Sequence, residues 1–440
     1  MVHLRERIVN VKNRSALFHQ SFYIWDLVLS EMRPFEKLLR DSLQDDVFSS
    51  SVLFAKRLDV NTKTGSDIVS ECLGGPSPAW PEQAPVDKQT VFTLASCSKL
   101  PTTVAVLQLV DKKLLTLDTD VSPMLPALGR QKVLAGWCPD GSPILNERRN
   151  PITLRHLLTH SAGTSYYFQN KSLRRLRSLQ GRLPEILEST IEDRFDDPLL
   201  FEPGEGWEYG CGLDWAGKLV EQLTRMSLET YLRLHVWEPL GASSFTFWPH
   251  AEGRHHKVAS LTERNENTGR LEVHPEILFL NQGVDTECFG GHGGYCSGGD
   301  YMQLLFSLFS NDRRVLQPDS VELMFQGNLS DPSRAALQKG FEGRKLTIGD
   351  FYRGELYDWG LGGMLIDGRR SEAQYPRGQK TLAWGGGTNQ FWFIDRSNGV
   401  CGLIMSHVLP PQDPQIEEII GAFQRHVYKT DRGQVFPSFL

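Results

Sequence analysis

A serine and a lysine three positions apart, Ser96 and Lys99, are the residues of this chain best suited to covalent chemistry. They stand at the start of a long apolar stretch with helical spacing, and residues three apart share one face of a helix. The Lys99 amine could therefore reach the Ser96 hydroxyl. A serine is a weak nucleophile until a base takes its proton, and a buried lysine can become that base. The pair predicts nucleophilic catalysis; the alternative is a helix-capping serine beside an exposed lysine.

Two later segments could complete such a site. The first places Tyr209 in a glycine-interrupted loop just before a stretch with helical spacing. The second, residues 383–391, has three glycines in what is otherwise a strand composition, and such glycines mark a bulge or a close backbone approach. A phenol is useful as a base only if a nearby cation favours its charged form, which Lys99 could do. We therefore expect Lys99 and Tyr209 to share a proton and titrate as a pair. The alternatives are a packed aromatic residue and a plain bulge.

In chain order, Ser-x-x-Lys, a tyrosine motif and a glycine-rich strand resemble the motifs of the serine β-lactamase and penicillin-binding-protein family, including its esterase branch. Three further runs are similar to the fungal transesterase branch of that family: residues 152–163, 213–221 and 287–291. The resemblance extends from about residue 33 to near the C-terminus. It implies an α+β fold of the β-lactamase/transpeptidase type, in which an antiparallel sheet flanked by helices lies beside an inserted, mostly helical domain, with the active site between them.

The resemblance also implies roles for individual residues. Ser96 would be the nucleophile, and Lys99 and Tyr209 would handle its proton. The N–H groups of Ser96 and Gly387 would hold the oxyanion, with Gly386 as the alternative one position away. Four residues would line the substrate site, although core packing is the alternative for the aromatic ones: Tyr166, Trp207, Trp384 and Gly385. The glycine-rich run 290–294 is expected to form a flexible turn at the border of the cleft.

The chain departs from the β-lactamase motifs at two positions. Cys211 stands where the tyrosine motif has asparagine, and Trp384 stands where the third motif has lysine or histidine. Groups that hold a β-lactam are thus replaced, so we expect poor β-lactam hydrolysis and a more apolar acyl or alcohol pocket. Cys97 and Cys211 are expected to be small apolar filler. His156 and His160 are four positions apart, but no third ligand follows, so no metal site is expected.

Composition argues against several other classes of function. Hydrophobic residues make up 40% and charged residues 23% of the chain, which is ordinary for a globular protein. The net charge of −6 argues against nucleic acid or an anionic membrane surface as a partner. Seven cysteines without a pairing pattern argue against a secreted disulfide framework. We therefore expect a cytoplasmic enzyme that uses no cofactor.

Hydrophobic periodicity predicts strands near both ends of the chain and helices between them. Strands are expected at 51–55 and 67–72, and as a hairpin at 391–394 and 400–405. Helices are expected at 31–43, 96–114, 153–160, 213–224, 228–237, 299–310, 317–326 and 414–428. This order predicts a sheet domain formed by residues 31–115 and 331–440, an inserted helical domain at 116–330, and an N-terminal extension of unknown role at 1–30.

The motifs and the resemblance to the transesterase branch together imply a serine acyltransferase that works by ping-pong chemistry. An ester or thioester donor, which could be an acyl-carrier domain of a polyketide synthase, would acylate Ser96. A hydroxyl of a small natural product of the polyketide type would then accept the acyl group. Two alternatives stay open. One is a carboxylesterase similar to family VIII, in which water is the acceptor, and the other is a catalytically inactive binding protein with the same fold.

Overall fold

The structure is a computed structural model of the 440-residue chain. It describes residues 34–75, 84–182, 189–251, 257–274, 286–343, 349, 351, 355–366 and 377–429, so the predicted extension at 1–30 lies outside the described residues. The chain divides into two compact units, Met1–Val47 and Phe48–Leu440. The described part of the first unit contains helix α1 (Pro34–Gln44), close to the predicted position. Within the described ranges, no helix is long and apolar enough to cross a membrane.

A seven-stranded antiparallel sheet forms the centre of the second unit, and it confirms the predicted fold class. Its strand order is β2-β1-β13-β12-β11-β10-β9. A strand from the start of the chain, β1, therefore pairs with β13 from near its end. The strands are β1 (Ser50–Leu58), β2 (Gly65–Gly74), β9 (Tyr357–Trp359), β10 (Met364–Ile366), β11 (Thr381–Gly386), β12 (Gln390–Asp395) and β13 (Val400–Ser406).

Between β2 and β9, most of the regular secondary structure in the described chain is helical. A 3-10 turn (Ala95–Ser98) precedes α2 (Lys99–Asp111), and a π-helical turn (Arg233–Trp237) follows α8. The helices are α2, α3 (Pro126–Gly129), α4 (Leu154–Leu158), α5 (Lys171–Leu179), α6 (Ile191–Arg194), α7 (Gly212–Thr224), α8 (Leu228–Leu232), α9 (Glu238–Leu240), α10 (Gly298–Ser310), α11 (Pro318–Met324) and α12 (Asp331–Gly343), with α13 (Pro414–Lys429) after the sheet. The predicted helices are all present with shifted ends, whereas the predicted domain boundaries stay predictions.

Seven further strands form three small sheets that sequence periodicity did not predict. They are β3 (Val91–Thr93) with β8 (Tyr295–Ser297), β4 (Val133–Trp137) with β5 (Pro143–Asn146), and β14 (Val408–Leu409) with β6 (Thr262–Arg264) and β7 (Leu271–Val273). Each strand has two to five residues. So few positions carry too little alternation to be distinguished from a loop.

Helices cover both faces of the large sheet, which explains why every residue of β12 and β13 is buried. On one face, Phe54 lies so close to Gly298 of α10 that a β-carbon there would be 3.0 Å from its ring. Phe54 and Trp392 both pair with Leu403 of β13, so their side chains lie on the same face of the sheet. Phe393 follows Trp392 and therefore points to the opposite face. There it packs against Phe423 of α13 with ring centroids 6.3 Å apart. The two layers bury β11, an inner strand of the sheet whose end carries the glycine run.

Candidate active site

Ser96 lies in the 3-10 turn rather than in the first turn of α2, which begins at Lys99. The residue before it, Ala95, has φ +44°, a left-handed conformation that is uncommon for a residue other than glycine. The turn is held by Gly294, whose carbonyl accepts from the Leu94 N–H at 2.8 Å and whose N–H donates to Ser98 Oγ at 3.0 Å. This anchored turn leaves the Ser96 side chain half-buried at the surface of the site.

Tyr209 lies in direct contact with the predicted nucleophile. Its hydroxyl donates to Ser96 Oγ at 2.7 Å, and it accepts a hydrogen bond from Trp384 Nε1 at 3.2 Å. Ser96 and Tyr209 are both half-buried, whereas Trp384 is only 4% exposed. The two hydroxyl groups thus belong to partly exposed side chains, while the indole that donates to Tyr209 is buried.

Lys99 is placed next to Tyr209 rather than on Ser96. Among the described residues, its Nζ donates to the Gly291 carbonyl at 2.7 Å and to Tyr166 Oη at 3.2 Å, with no hydrogen bond to Ser96. Nζ also lies 4.6 Å from the centre of the Tyr209 ring, and the side chain is 2% exposed. The direct contact with Ser96 that the spacing permits is thus absent. Lys99 instead faces the aromatic ring that contacts Ser96.

Asp214, which sequence analysis did not single out, closes a ring of hydrogen bonds behind Lys99. Its carboxylate accepts from the Tyr166 hydroxyl at 3.2 Å and from the Gly291 N–H at 2.8 Å. The carboxylate is fully buried, and a β-carbon at Gly291 would lie 2.4 Å from it, so glycine is required there. The run 290–294 therefore does form a turn, but most of it is buried and it supplies backbone groups to this ring.

Two pKa shifts define the charge states in this ring. Burial, and then the neighbouring Asp214, raise the pKa of Tyr166 well above its usual value, so Tyr166 remains a phenol that can donate. Burial also opposes ionisation of Asp214, but His292, Lys99 and the Gly291 N–H outweigh it and lower the pKa of that carboxyl. Asp214 is therefore a carboxylate, and it stands one hydroxyl group away from Lys99.

His160 holds the loop on both sides of Tyr209. Its carbonyl accepts from the Glu208 N–H at 3.1 Å and its Nδ1 accepts from the Gly210 N–H at 3.3 Å. Its ring lies 4.6 Å from the Tyr209 ring, and its backbone is left-handed at φ +59°. Burial, and then Lys99, lower the pKa of His160 well below its usual value, so the ring is neutral and can accept. Sequence analysis weighed this histidine only as a metal ligand.

The glycine run of β11 approaches the 3-10 turn closely, as glycines inside a strand suggest. A β-carbon at Gly386 would lie 2.6 Å from the Leu94 carbonyl oxygen, whereas one at Gly387 would meet only the Ala95 β-carbon at 4.0 Å. Among the described residues, no hydrogen-bond partner is found for the backbone N–H of Ser96 or of Gly387. Two free N–H donors near the Ser96 hydroxyl are the arrangement that an oxyanion requires.

The remaining predicted residues lie deeper in the structure. Trp207 is 9% exposed and packs against Trp359, with ring centroids 5.5 Å apart. Gly385 is buried in β11, opposite Phe391 of β12. Substrate contact by these two residues stays a prediction. Cys97 and Cys211 are packed in the apolar core, as expected for small apolar filler. His156 takes part in the N-terminal cap of α4.

The fold, the Ser-x-x-Lys turn and the adjacent tyrosine define a class of protein. Residues 74–424 match the Beta-lactamase family, so the chain belongs to that family. It is 35% identical over 360 residues to a lovastatin esterase of Penicillium rubens, and the matched region covers 79% of this chain and 87% of that protein. It is 36% identical over 357 residues to a monacolin J acid methylbutanoyltransferase of Aspergillus terreus, and here the matched region covers 78% of this chain and 83% of that protein.

Solved structures agree with this assignment. Unliganded simvastatin synthase (LovD) from Aspergillus terreus superposes with a TM-score of 0.78 at 31% identity, covering 90% of this chain and 97% of that one. Its LovD6 mutant gives 0.81 at 32% identity, covering 91% and 97%. These comparisons confirm the predicted resemblance, and the named relatives are enzymes of acyl transfer and ester hydrolysis.

Proposed function

We propose that this protein is a serine acyltransferase in which Ser96 carries the acyl group. The observation that carries the proposal is the 2.7 Å distance between Tyr209 Oη and Ser96 Oγ, because at this distance a Tyr209 phenolate can accept the serine proton without any rearrangement of the backbone. The positions of Lys99 and Trp384 around Tyr209 support the same assignment. Tyr209 is then the immediate base, and Lys99 acts on it as a neighbouring cation.

In the first half-reaction, Ser96 Oγ attacks the carbonyl carbon of an ester or thioester donor. In the reactive form the proton shared by Lys99 and Tyr209 is on the lysine, so Tyr209 is a phenolate and takes the serine proton as the carbon–oxygen bond forms. The N–H groups of Ser96 and Gly387 hold the oxyanion of the tetrahedral intermediate. When that intermediate collapses, the bond to the leaving group breaks and Tyr209 returns the proton to the departing alkoxide or thiolate.

The second half-reaction repeats these steps in reverse with a new alcohol. The acceptor hydroxyl gives its proton to Tyr209 while its oxygen attacks the acyl carbon. Collapse of the second intermediate releases the new ester and returns the proton to Ser96. No step requires a metal or a cofactor, and each proton transfer passes through Tyr209.

The name of one relative guides the choice of acceptor. The methylbutanoyltransferase of Aspergillus terreus names monacolin J acid as its acceptor, which supports a polyketide-type alcohol as the acceptor here. A thioester carried by an acyl-carrier domain of a polyketide synthase is the donor that we propose. A cytoplasmic location and the lack of nucleic-acid and membrane partners stay predictions.

Ester hydrolysis is the second candidate, and the similarity to a lovastatin esterase favours it specifically. In that case water replaces the alcohol in the second half-reaction. The same catalytic residues serve both reactions, so the acceptor that reaches the acyl-enzyme decides between them.

Product analysis distinguishes transfer from hydrolysis. The protein is incubated with a short acyl thioester in the presence and absence of a panel of polycyclic alcohols, and both free acid and new ester are quantified. Transfer predicts new ester with at least one alcohol, because a bound hydroxyl reacts with an effective molarity that can reach about 10⁵–10⁸ M. Free acid as the only product with every alcohol would assign the protein as an esterase.

A further inference from the structure

The closed ring of hydrogen bonds behind the site links one buried cationic side chain to one buried carboxylate. Lys99 Nζ donates to the Gly291 carbonyl, and the N–H of the same Gly291 donates to Asp214. On the other side, Lys99 donates to Tyr166 and Tyr166 donates to Asp214. Lys99 and Asp214 are 2% and 0% exposed, so water cannot replace either partner. The side chains interact through one peptide group and one phenol.

The chemistry of these linkers suits an indirect ion pair. A phenol can accept from an amine and donate to a carboxylate at the same time, and the raised pKa of Tyr166 keeps its proton in place. The Gly291 peptide does the same with its carbonyl and its N–H. A buried charge without a partner is costly, so the buried amine of Lys99 depends on Asp214 even though the two groups do not touch. Asp214 itself has a second neighbour, because His292 Nδ1 lies 3.4 Å from its carboxylate.

We propose that Asp214 is a positioning residue that holds Lys99 beneath the Tyr209 ring, acting through Tyr166 and Gly291. It fixes the location of the lysine without contacting the reacting atoms. Tyr166 then belongs to this ring rather than to the wall that binds substrate. The consequence for catalysis rests on the proposed function, whereas the energetic coupling between Asp214 and Lys99 does not.

A thermal-stability cycle tests the coupling directly. The melting temperature is measured for Asp214→Asn in the wild-type protein and in Lys99→Met. In the wild-type background we expect a loss of about 4 °C or more, because the buried amine loses its counter-charge. In the Lys99→Met background the same substitution should cost distinctly less. An equal or larger loss there would overturn the proposal.

Asp300 supplies a matched control. Like Asp214, it is a buried carboxylate in the first turn of a helix, but it accepts from the N–H groups of Ser243 and Ser244. Asp300→Asn should therefore cost the same in both backgrounds. If Asp214→Asn folds only together with Lys99→Met, the coupling is demonstrated. If Asp214→Asn folds in neither background, Tyr166→Phe takes its place in the cycle. Its loss in melting temperature should again be smaller in Lys99→Met than in the wild type, and an equal or larger loss would overturn the proposal.

Steady-state kinetics with a short acyl ester supply the functional readout. Asp214→Asn should lower kcat about 100-fold and Tyr166→Phe about tenfold, with KM within about threefold of wild type, since misplacement of a catalytic group slows chemistry more than binding. Coupled stability with unchanged kcat in both variants would mean that Lys99 takes no part in the chemistry, which contradicts the proposed mechanism. Uncoupled stability contradicts the role of Asp214 itself. The two failures are thus distinguishable.

Discussion

The indole Nε1 of Trp384 donates a hydrogen bond to Tyr209 Oη at 3.2 Å, while Tyr209 donates to Ser96 Oγ at 2.7 Å. Trp384 stands where the β-lactamase motif usually has a lysine or histidine. An indole N–H is a donor only and carries no charge, so it can stabilise a phenolate without titrating itself. The tryptophan thus keeps a donor at the tyrosine but removes a cation from the site.

Loss of this donor should slow the chemical step. We expect Trp384→Phe to lower kcat about tenfold with KM within about threefold, because a hydrogen bond to the charged form of Tyr209 is lost. The measurement is steady-state hydrolysis of a p-nitrophenyl ester. Trp392→Phe is the matched control, since Trp392 pairs with Trp384 across the strands and its Nε1 has no hydrogen-bond partner among the described residues. Equal effects of the two substitutions would contradict the role of the N–H.

The neighbouring glycines of β11 should respond differently to alanine. Gly386→Ala places a β-carbon 2.6 Å from the Leu94 carbonyl oxygen, so the strand must move away from the turn that carries Ser96. Gly387→Ala meets only the Ala95 β-carbon at 4.0 Å and retains its N–H. We expect a loss of about 100-fold in kcat/KM for the first and less than about threefold for the second. The reverse order would show that the strand does not set the geometry of the site.

β-Lactams should be poor substrates. Cys211 replaces the motif asparagine, and it is buried, with Sγ directed at the Ser165 carbonyl at 3.7 Å. Neither this thiol nor the Trp384 indole can replace the amide and the cation that hold a β-lactam. Turnover of nitrocefin should therefore be far slower than that of a simple p-nitrophenyl ester. Comparable rates for the two compounds would contradict this interpretation.

Acid should destabilise the fold through a buried histidine. His407 Nδ1 donates to the Ala259 carbonyl and Nε2 accepts from the Thr93 N–H, so the ring is neutral. Burial lowers the pKa of His407 from 6.5 to about 4, only partly offset by the bond to Ala259. Between those pH values the unfolded chain binds one more proton at this residue, and the free energy of unfolding falls by about 1.4 kcal/mol per pH unit as the pH drops.

Denaturant unfolding across that pH window measures the effect. The pH slope should decrease by about one proton in His407→Gln but not in His250→Gln, because His250 is exposed. Above about pH 6.5, protonation of residue 407 should no longer make the free energy of unfolding depend on pH, either in the wild type or in His407→Gln. Identical slopes for His407→Gln and the wild type would refute the assignment.

Sequence patterns predicted the main elements and the candidate catalytic residues because both depend on short segments of the chain. The hairpin at 390–406 has strong strand composition on either side of a turn, and its observed strands lie within a residue of the prediction. Ser96, Lys99 and Tyr209 could be proposed from the sequence because each stands in a short motif, and the chain order of those motifs resembles that of the family.

The residues that surround these groups depend on tertiary structure. Asp214 stands in the first turn of α7, where acidic side chains are common because they interact favourably with the helix dipole. Its position therefore gives no sign of a second role. Its link to Lys99 requires Tyr166 and Gly291, which are distant in the chain. The left-handed backbone of Ala95 has no signal at all in its residue type. Such arrangements become visible only when the segments are folded together.

The central claim is that Ser96 becomes acylated. Intact-mass spectrometry after mixing with a short acyl thioester, without an alcohol, should detect one added acyl group, and peptide mapping should place it on Ser96. Ser96→Ala should show no adduct and a loss of about 10⁴–10⁶ in turnover, the cost of removing a nucleophile from a unit that acts together. An adduct on another residue, or more than a tenth of wild-type esterase activity in Ser96→Ala, would contradict the account.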